Sequence, residues 1–234
     1  MSSAVDVSFL PDPARITSIA RESDDTRSLV LEPAGEASPA WLRAAPGQFV
    51  FLSLLGVGEA AFTISSWQAG APPTRDIVLT VRRVGRLTSA VFALRPGDTV
   101  GVRGPFGRGF PDWPAHAGVT FVAGGCGLAP LRAAIEARIA TRAAAAPVTV
   151  VYGAREPGTR IFRADLDRWR AKPGVTFYDC VERPDAACRG AVGDVCDALE
   201  PALASRPTPF AAVCGPPAMM SAVALRLART GGPP

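Results

Sequence analysis

The sequence predicts an antiparallel β-barrel over residues 1–111 followed by an α/β unit with a parallel sheet over residues 112–234. Three observations predict this order. Short β-prone runs, each closed by Gly, Pro or Asp, fill the first part. Strand-length apolar runs alternate with helix-prone segments through the second, which is the pattern of a parallel sheet covered on both faces. Between them lies "DWPAHAG" at 112–118, a Pro-containing connector.

In chain order, "ARITSIARES", "TRSLVLEP", "GQFVFLSLL", "AAFTISSW", "DIVLTVRRV" and "GDTVGVRGPF" supply the barrel strands. One segment interrupts them. "RLTSAVFALRPGD" sets Leu87, Val91 and Leu94 at helical spacing and stops at Pro96-Gly97, a helix placed to cap the barrel or face a ligand. In the second part "VTFVAG" is a buried strand, and "LAPLRAAIEARIATRAAAA" is a helix with Pro130 in its first turn. "PVTVVYGAR", "RADLDRWRA", "GVTFYDCVE", "VGDVCDALEPALAS", "PFAAVCGPP" and "AMMSAVALRLART" continue the alternation of strand and helix.

Composition narrows the function. Hydrophobic residues make up 48% of the chain, enough for a sizeable core. No stretch approaches the roughly 20 apolar residues of a membrane span, and the N-terminus has no export-signal pattern, so a cytoplasmic protein is expected. The net charge is +4, yet Lys172 is the only lysine and the arginines are scattered, which argues against nucleic acid. Cys126, Cys180, Cys188, Cys196 and Cys214 are odd in number and contain no C-x-x-C pair, which argues against a disulfide framework, structural zinc or a plant-type iron–sulfur site. The last-named spacing is absent, and Cys180, Cys188 and Cys196 are read as structural thiols. His116, the single histidine, lies in the connector and is read as solvated. Any redox or transfer chemistry then has to be carried by a cofactor.

Two loops qualify to hold one. "VAGGCGLAP" at 122–130 joins the first parallel strand to its helix, and Gly124, Gly125 and Gly127 let the main chain approach a pyrophosphate at a helix N-terminus. "VCGPPAMM" is a second strand end running into a helix. Both leave the carboxyl ends of parallel strands, the side on which open α/β sheets bind ligands.

Taken in order, "AAFTISS", "VRRVGRLT", "RGPFGRGF", "VAGGCGLAPLRAAI", "VYGAR", "RGAVGDV" and "VCGPPAMM" resemble the ferredoxin–NADP⁺ reductase superfamily. The likeness is to its electron-transfer branch, with the hydrogenase and sulfhydrogenase gamma subunits, the corresponding sulfite reductase subunit and the dihydroorotate dehydrogenase electron-transfer subunit. It implies an FAD-binding barrel domain over 1–111 and an NAD(P)-binding α/β domain over 112–234. Phe62, Thr63, Ile64 and Ser65 then fall on the flavin strand, with Thr63 at the N5 edge. Thr80, Val81 and Arg82 run along its neighbour, and Gly85, Leu87 and Thr88 form the flavin-phosphate turn. Taken singly, each strand reads as ordinary barrel core. In the second domain the resemblance assigns Gly124, Gly125, Cys126, Gly127 and Pro130 to the pyrophosphate of NAD(P)H, and Tyr152, Gly153 and Arg155 to the adenosine side. Cys214, Gly215 and Pro216 are assigned to the nicotinamide. Cys214 on its own reads as a small buried hydrophobe. Thr63 and Cys214 are thus the implied catalytic pair at hydride transfer between nicotinamide C4 and flavin N5.

The implied function is an NAD(P)H-dependent flavoprotein subunit passing electrons to or from an iron–sulfur or hydrogenase-type partner. Two departures bear on it. Ala60 stands where the family's flavin motif has arginine, which leaves FMN possible beside FAD and points to Arg82 or Arg83 as replacement charge. Gamma-type subunits continue into a cysteine-rich [2Fe–2S] segment, whereas this sequence ends "RTGGPP", so no cluster is expected in this chain. A free-standing NAD(P)H–flavin reductase and a non-catalytic regulatory module that has lost flavin are the alternatives.

Overall fold

The computed structural model describes residues 10–36, 38–67, 75–143, 145–186, 190–205 and 207–229. Cys188 and the segments at 1–9 and 230–234, on which the export and C-terminal readings rest, lie outside the described residues.

Six strands build the first sheet: β1 (Asp12–Arg21), β2 (Thr26–Pro33), β3 (Phe49–Leu54), β4 (Gly58–Thr63), β5 (Ile77–Arg82) and β6 (Thr99–Phe106). Their order is β4-β3-β6-β1-β2-β5, with antiparallel pairing throughout. An antiparallel bridge between Ile64 and Leu79 joins the two outer strands and closes the sheet at that end. The period of two decides what is inside: Val50 and Leu52 are fully buried, while Phe49 and Phe51 lie on the outer face with Phe106. Trp41, in a single 3₁₀ turn (Ala40–Arg43) that the sequence patterns did not announce, is also fully buried in this core.

The helix expected at 86–95 is shorter. α1 (Arg86–Val91) ends as the chain turns toward Pro96, and Leu94 still packs on the barrel core from the loop.

The second sheet is parallel: β7 (Val119–Gly124), β8 (Val148–Ala154), β9 (Val175–Val181), β10 (Ala191–Val192) and β11 (Phe210–Cys214), ordered β10-β9-β8-β7-β11. Its two faces are covered separately. Phe121, Val150 and Tyr152 pack with residues of α2 (Leu128–Thr141) and α3 (Arg163–Arg170), whereas Val122, Val151 and Cys180 pack with α4 (Val195–Ser205) and α5 (Pro217–Arg229). Successive strands lead outward from β7 to β10, and the chain then crosses to the other side of β7 as β11. A switch point therefore lies between β7 and β11, at the carboxyl end of both.

The connector is pinned rather than loose. Arg138 of α2 is buried and donates to the carbonyl oxygens of Trp113, Pro114, Ala115 and Ala117, and Trp113 packs edge-on against Phe121. The Pro114 and Ala115 carbonyls also accept the amides of Ala117 and Ala143, so the guanidinium, through its two terminal nitrogens, adds a second tie from α2 to a turn that already holds itself.

Candidate functional site

A cleft of about 980 Å³ opens at the switch point, large enough for a dinucleotide. It runs from Asp25, Thr26 and Arg82 on the barrel, over the loops at 124–127 and 214–216, to Arg155, Glu156, Glu182 and Arg183 at its far end.

The glycines of the first loop have three different reasons. Gly125 takes φ +54° and faces open space, with nothing within 4 Å of where a Cβ would stand. A Cβ on Gly124 would run into the Met219 sulfur. A Cβ on Gly127 would run into the Cys214 carbonyl oxygen and stand 2.6 Å from its carbon and 2.8 Å from the Gly215 nitrogen. The two loops are thus in backbone contact, and the first turn of α2 leads directly out of the cleft, as an anion site requires.

The cleft contains three thiols, Cys126, Cys196 and Cys214. Burial pushes the Cys126 thiol up to about 11 and raises Cys214 as well, so both are neutral thiols at physiological pH. With so little thiolate, Cys126 should alkylate with iodoacetamide about 100-fold more slowly at pH 8 than a free thiol, its rate climbing about tenfold per pH unit up to pH 9. Mass spectrometry of a time course measures this, and labelling at the free-thiol rate would show a thiolate instead.

At the barrel end, Arg82 Nε donates to Asp25 Oδ2 at 2.7 Å. Burial by itself would raise the Asp25 carboxyl, but hydrogen bonds from Arg82, Thr26 and Ser23 outweigh it and the net shift is downward. The charge expected to replace the arginine missing at Ala60 is therefore already engaged by Asp25, while the Arg83 guanidinium sits 5.1 Å from the Phe92 ring centroid.

Not all the candidate residues meet in the cleft. Gly124, Gly125, Cys126, Gly127, Gly153, Arg155, Cys214, Gly215, Pro216 and Arg82 line it. Tyr152 does not: it is fully buried against the α2 side of the sheet, and its hydroxyl accepts from the Ile161 amide at 3.2 Å. Pro130 lies two residues into α2 and is not among the lining residues either. On the barrel, Phe62 and Thr63 are half-buried at the end of β4, whereas Ile64 and Val81 are core. Thr80 is buried with its hydroxyl 3.0 Å from that of Ser28, and Ser65 is fully buried with an unpartnered hydroxyl. Gly85 and Leu87 stand at the start of α1, where the Thr88 hydroxyl accepts from the amides of Val84 and Gly85 at 2.9 Å each. This leaves the amides of the first turn, at Arg86, Leu87 and Thr88, without partners inside the helix.

The sequence patterns missed Asp25, Thr26, Glu182, Arg183 and Asp194. Asp25 and Thr26 sit in the β1–β2 hairpin, where "ESDDT" looks like any polar turn. Glu156 and Arg183 form an ion pair at 2.8 Å across the far end, which no local spacing reveals. Among the described residues no group of three His, Cys, Asp or Glu is placed to hold a metal, and no helix is long and apolar enough to cross a membrane.

Comparison with known proteins agrees with this geometry. The oxidoreductase NAD-binding domain family matches residues 121–224. The chain is 33% identical over 218 residues to the probable dihydroorotate dehydrogenase B (NAD(+)) electron transfer subunit of Methanopyrus kandleri, covering 93% of this chain and 75% of that protein. It is 30% identical over 202 residues to the sulfhydrogenase 2 subunit gamma of Pyrococcus furiosus, covering 80% of this chain and 67% of that one. Against the sulfhydrogenase 1 subunit gamma of the same organism it spans 61% of the relative's length. Among solved structures, the ferredoxin reductase in carbazole 1,9a-dioxygenase superposes with a TM-score of 0.78 at 22% identity, over 95% of this chain and 66% of that one. An antiparallel barrel, a parallel sheet with its cleft at the switch point, and relatives of this similarity together assign the chain: it is an oxidoreductase of the ferredoxin–NADP⁺ reductase superfamily, in the branch of the sulfhydrogenase gamma and dihydroorotate dehydrogenase electron-transfer subunits.

Proposed function

We propose that the protein is a flavin-dependent subunit that transfers electrons between NAD(P)H and an iron–sulfur partner of the hydrogenase type. The observation that carries this reading is the continuous cleft that joins the dinucleotide loops at 124–127 and 214–216 to the barrel at Asp25 and Arg82.

A flavin fits the barrel residues at two points. The unpartnered first-turn amides of α1 suit a phosphate, and Phe62 with Thr63 offers an apolar face and a hydroxyl at the β4 end. With Ala60 neutral and Arg82 paired to Asp25, Arg83 is the replacement charge left for a second phosphate, so FMN stands beside FAD. When bound, flavin accepts hydride from a nicotinamide and releases electrons singly. The chain's own residues bind and orient. The α2 N-terminus holds the dinucleotide pyrophosphate, Gly125 leaves its path open, and the neutral Cys214 thiol lies at the nicotinamide end without adding charge.

The test is anaerobic titration of the purified protein, loaded with FAD or FMN, by NADH and by NADPH. Loss of the flavin's visible absorbance is expected with at least one of them. Protein that stays colourless after soaking with either flavin would overturn the reading and favour a non-catalytic module. For the partner, gentle purification from the native host should bring down a cluster-bearing protein. Recovery alone, with efficient turnover of a small organic substrate, would favour a self-sufficient reductase.

A further inference from the structure

We propose that Arg132 is a positioning residue for this reaction, holding the strand end that carries Thr63 in register with the dinucleotide loop; the inference rests on the functional reading above. Arg132 lies in α2, five residues past Gly127, so the helix that opens onto the dinucleotide carries it one turn further on. Its Nη1 donates to the Ser65 carbonyl oxygen at 2.9 Å, and its Nε donates to Asp165 Oδ2 at 2.5 Å. The guanidinium also stands 4.9 Å from the Phe162 ring centroid. Ser65 is two residues past Thr63, and its amide donates to the Val78 carbonyl at 2.8 Å. The same residue is thus gripped by the barrel through its N–H and by the α/β unit through its C=O.

A second link runs parallel to the first. The Phe162 amide donates to Glu22 Oε2 at 2.8 Å, and Glu22 Oε1 accepts from the Ser28 hydroxyl at 2.7 Å, which in turn lies 3.0 Å from that of Thr80. Phe162 has φ 53°, the one positive value among the described non-glycine residues. A bulky residue keeps that conformation only where its surroundings over-determine it, so the start of α3 is firmly bolted to the barrel. Both links end on strands assigned to flavin: Ser65 beyond β4, and Thr80 in β5.

Simple adhesion between two lobes does not need a guanidinium. An apolar side chain would fill the space without the desolvation of a charge. What arginine adds is a rigid fork that fixes three elements, the β4 end, α2 and α3, at one set of angles. Hydride transfer rewards that fixity, because displacement of a reacting group by about 1 Å costs about 100-fold in rate.

The test uses Arg132→Ala and Arg132→Lys in the full chain, with two readouts. In stopped flow, the limiting rate of flavin reduction by NAD(P)H is expected to fall about 10- to 100-fold in Arg132→Ala. Flavin content and the nucleotide dissociation constant should stay near wild type, and Arg132→Lys, which keeps the charge without the fork, should recover part of the rate. In flavin-free protein, hydrogen exchange should quicken at 63–66 and 163–166 in Arg132→Ala while β2 and β8 stay protected. Wild-type exchange and rate in a folded Arg132→Ala would overturn the proposal, as would a loss of rate matched by loss of flavin. If neither nucleotide reduces the flavin-loaded wild type, the functional reading falls and takes the proposal with it. If only the variants fail to differ from wild type, the proposal alone falls.

Discussion

Gly127→Ala is expected to weaken the proposed dinucleotide binding more than substitution of any other glycine in its loop. The reason is that the added carbon meets only main chain: the Cys214 carbonyl group and the Gly215 nitrogen. A side chain can rotate out of the way, but a strand end cannot, so one of the two loops must shift. Over-packing of this kind costs about 1–3 kcal/mol, and charged to the bound geometry it amounts to about 5- to 150-fold in affinity. Gly124→Ala meets the Met219 sulfur, the flexible part of a side chain, and should cost less. Gly125→Ala meets nothing, and its penalty is the left-handed backbone alone, about 1 kcal/mol. Calorimetric titration of the three variants with NADH and NADPH measures the order. A weaker effect at Gly127 than at Gly124 would mean that the loops separate easily and that the contact seen between them is not part of the binding geometry.

Trp41→Ala is expected to be the most destabilising single change in the barrel, by about 3–5 kcal/mol. Trp41 is fully buried among Ala14, Leu31, Val50, Leu52 and Val102, and its indole Nε1 donates to Asp12 Oδ2 at 3.2 Å. Truncation empties the largest side-chain volume in that core and leaves the Asp12 carboxylate without this donor. Trp41→Phe keeps most of the volume and should cost far less. Chemical denaturation followed by far-ultraviolet circular dichroism gives the difference, and Trp169, buried in the other core, reports separately on the α/β unit by fluorescence once Trp67 and Trp113 are replaced by Phe. If the barrel melts early while Trp169 remains in its native environment, the two halves unfold as separate units. A loss below about 1 kcal/mol would show that the turn carrying Trp41 adds nothing beyond an ordinary surface residue.

Much of the molecule was legible because the signals are local. Alternation in "GQFVFLSLL" sorts Val50 and Leu52 from Phe49 and Phe51, and Gly, Pro and Asp punctuate the strands where the chain turns. The glycine loop after "VTFVAG" announces a strand-to-helix turn from its residue types alone. Tyr152 marks where such reading stops. "VTVVYGA" is apolar on both faces of a sheet covered on both sides, so period two cannot say which residues face the cleft and which the core. The length of α1 was misjudged for a related reason: Leu94 keeps its helical spacing and its core contact although the helix has ended, because burial selects the side chain and not the hydrogen-bond pattern.

By itself, then, the sequence determined the order of the elements, the change from antiparallel to parallel pattern, and the two glycine-containing strand-to-helix turns, since each depends on neighbours within a few residues. The tertiary structure alone decided that those loops touch, because β7 and β11 are adjacent through a crossover of the whole α/β unit. It also decided that Ile64 and Leu79 close the barrel, that Arg138 reaches the carbonyls of the connector, and that Arg132 reaches the strand end beyond Thr63. These contacts join residues 15 to 91 positions apart, and no periodicity encodes them. They arise only when the packed faces bring distant backbone groups and side chains within hydrogen-bonding reach.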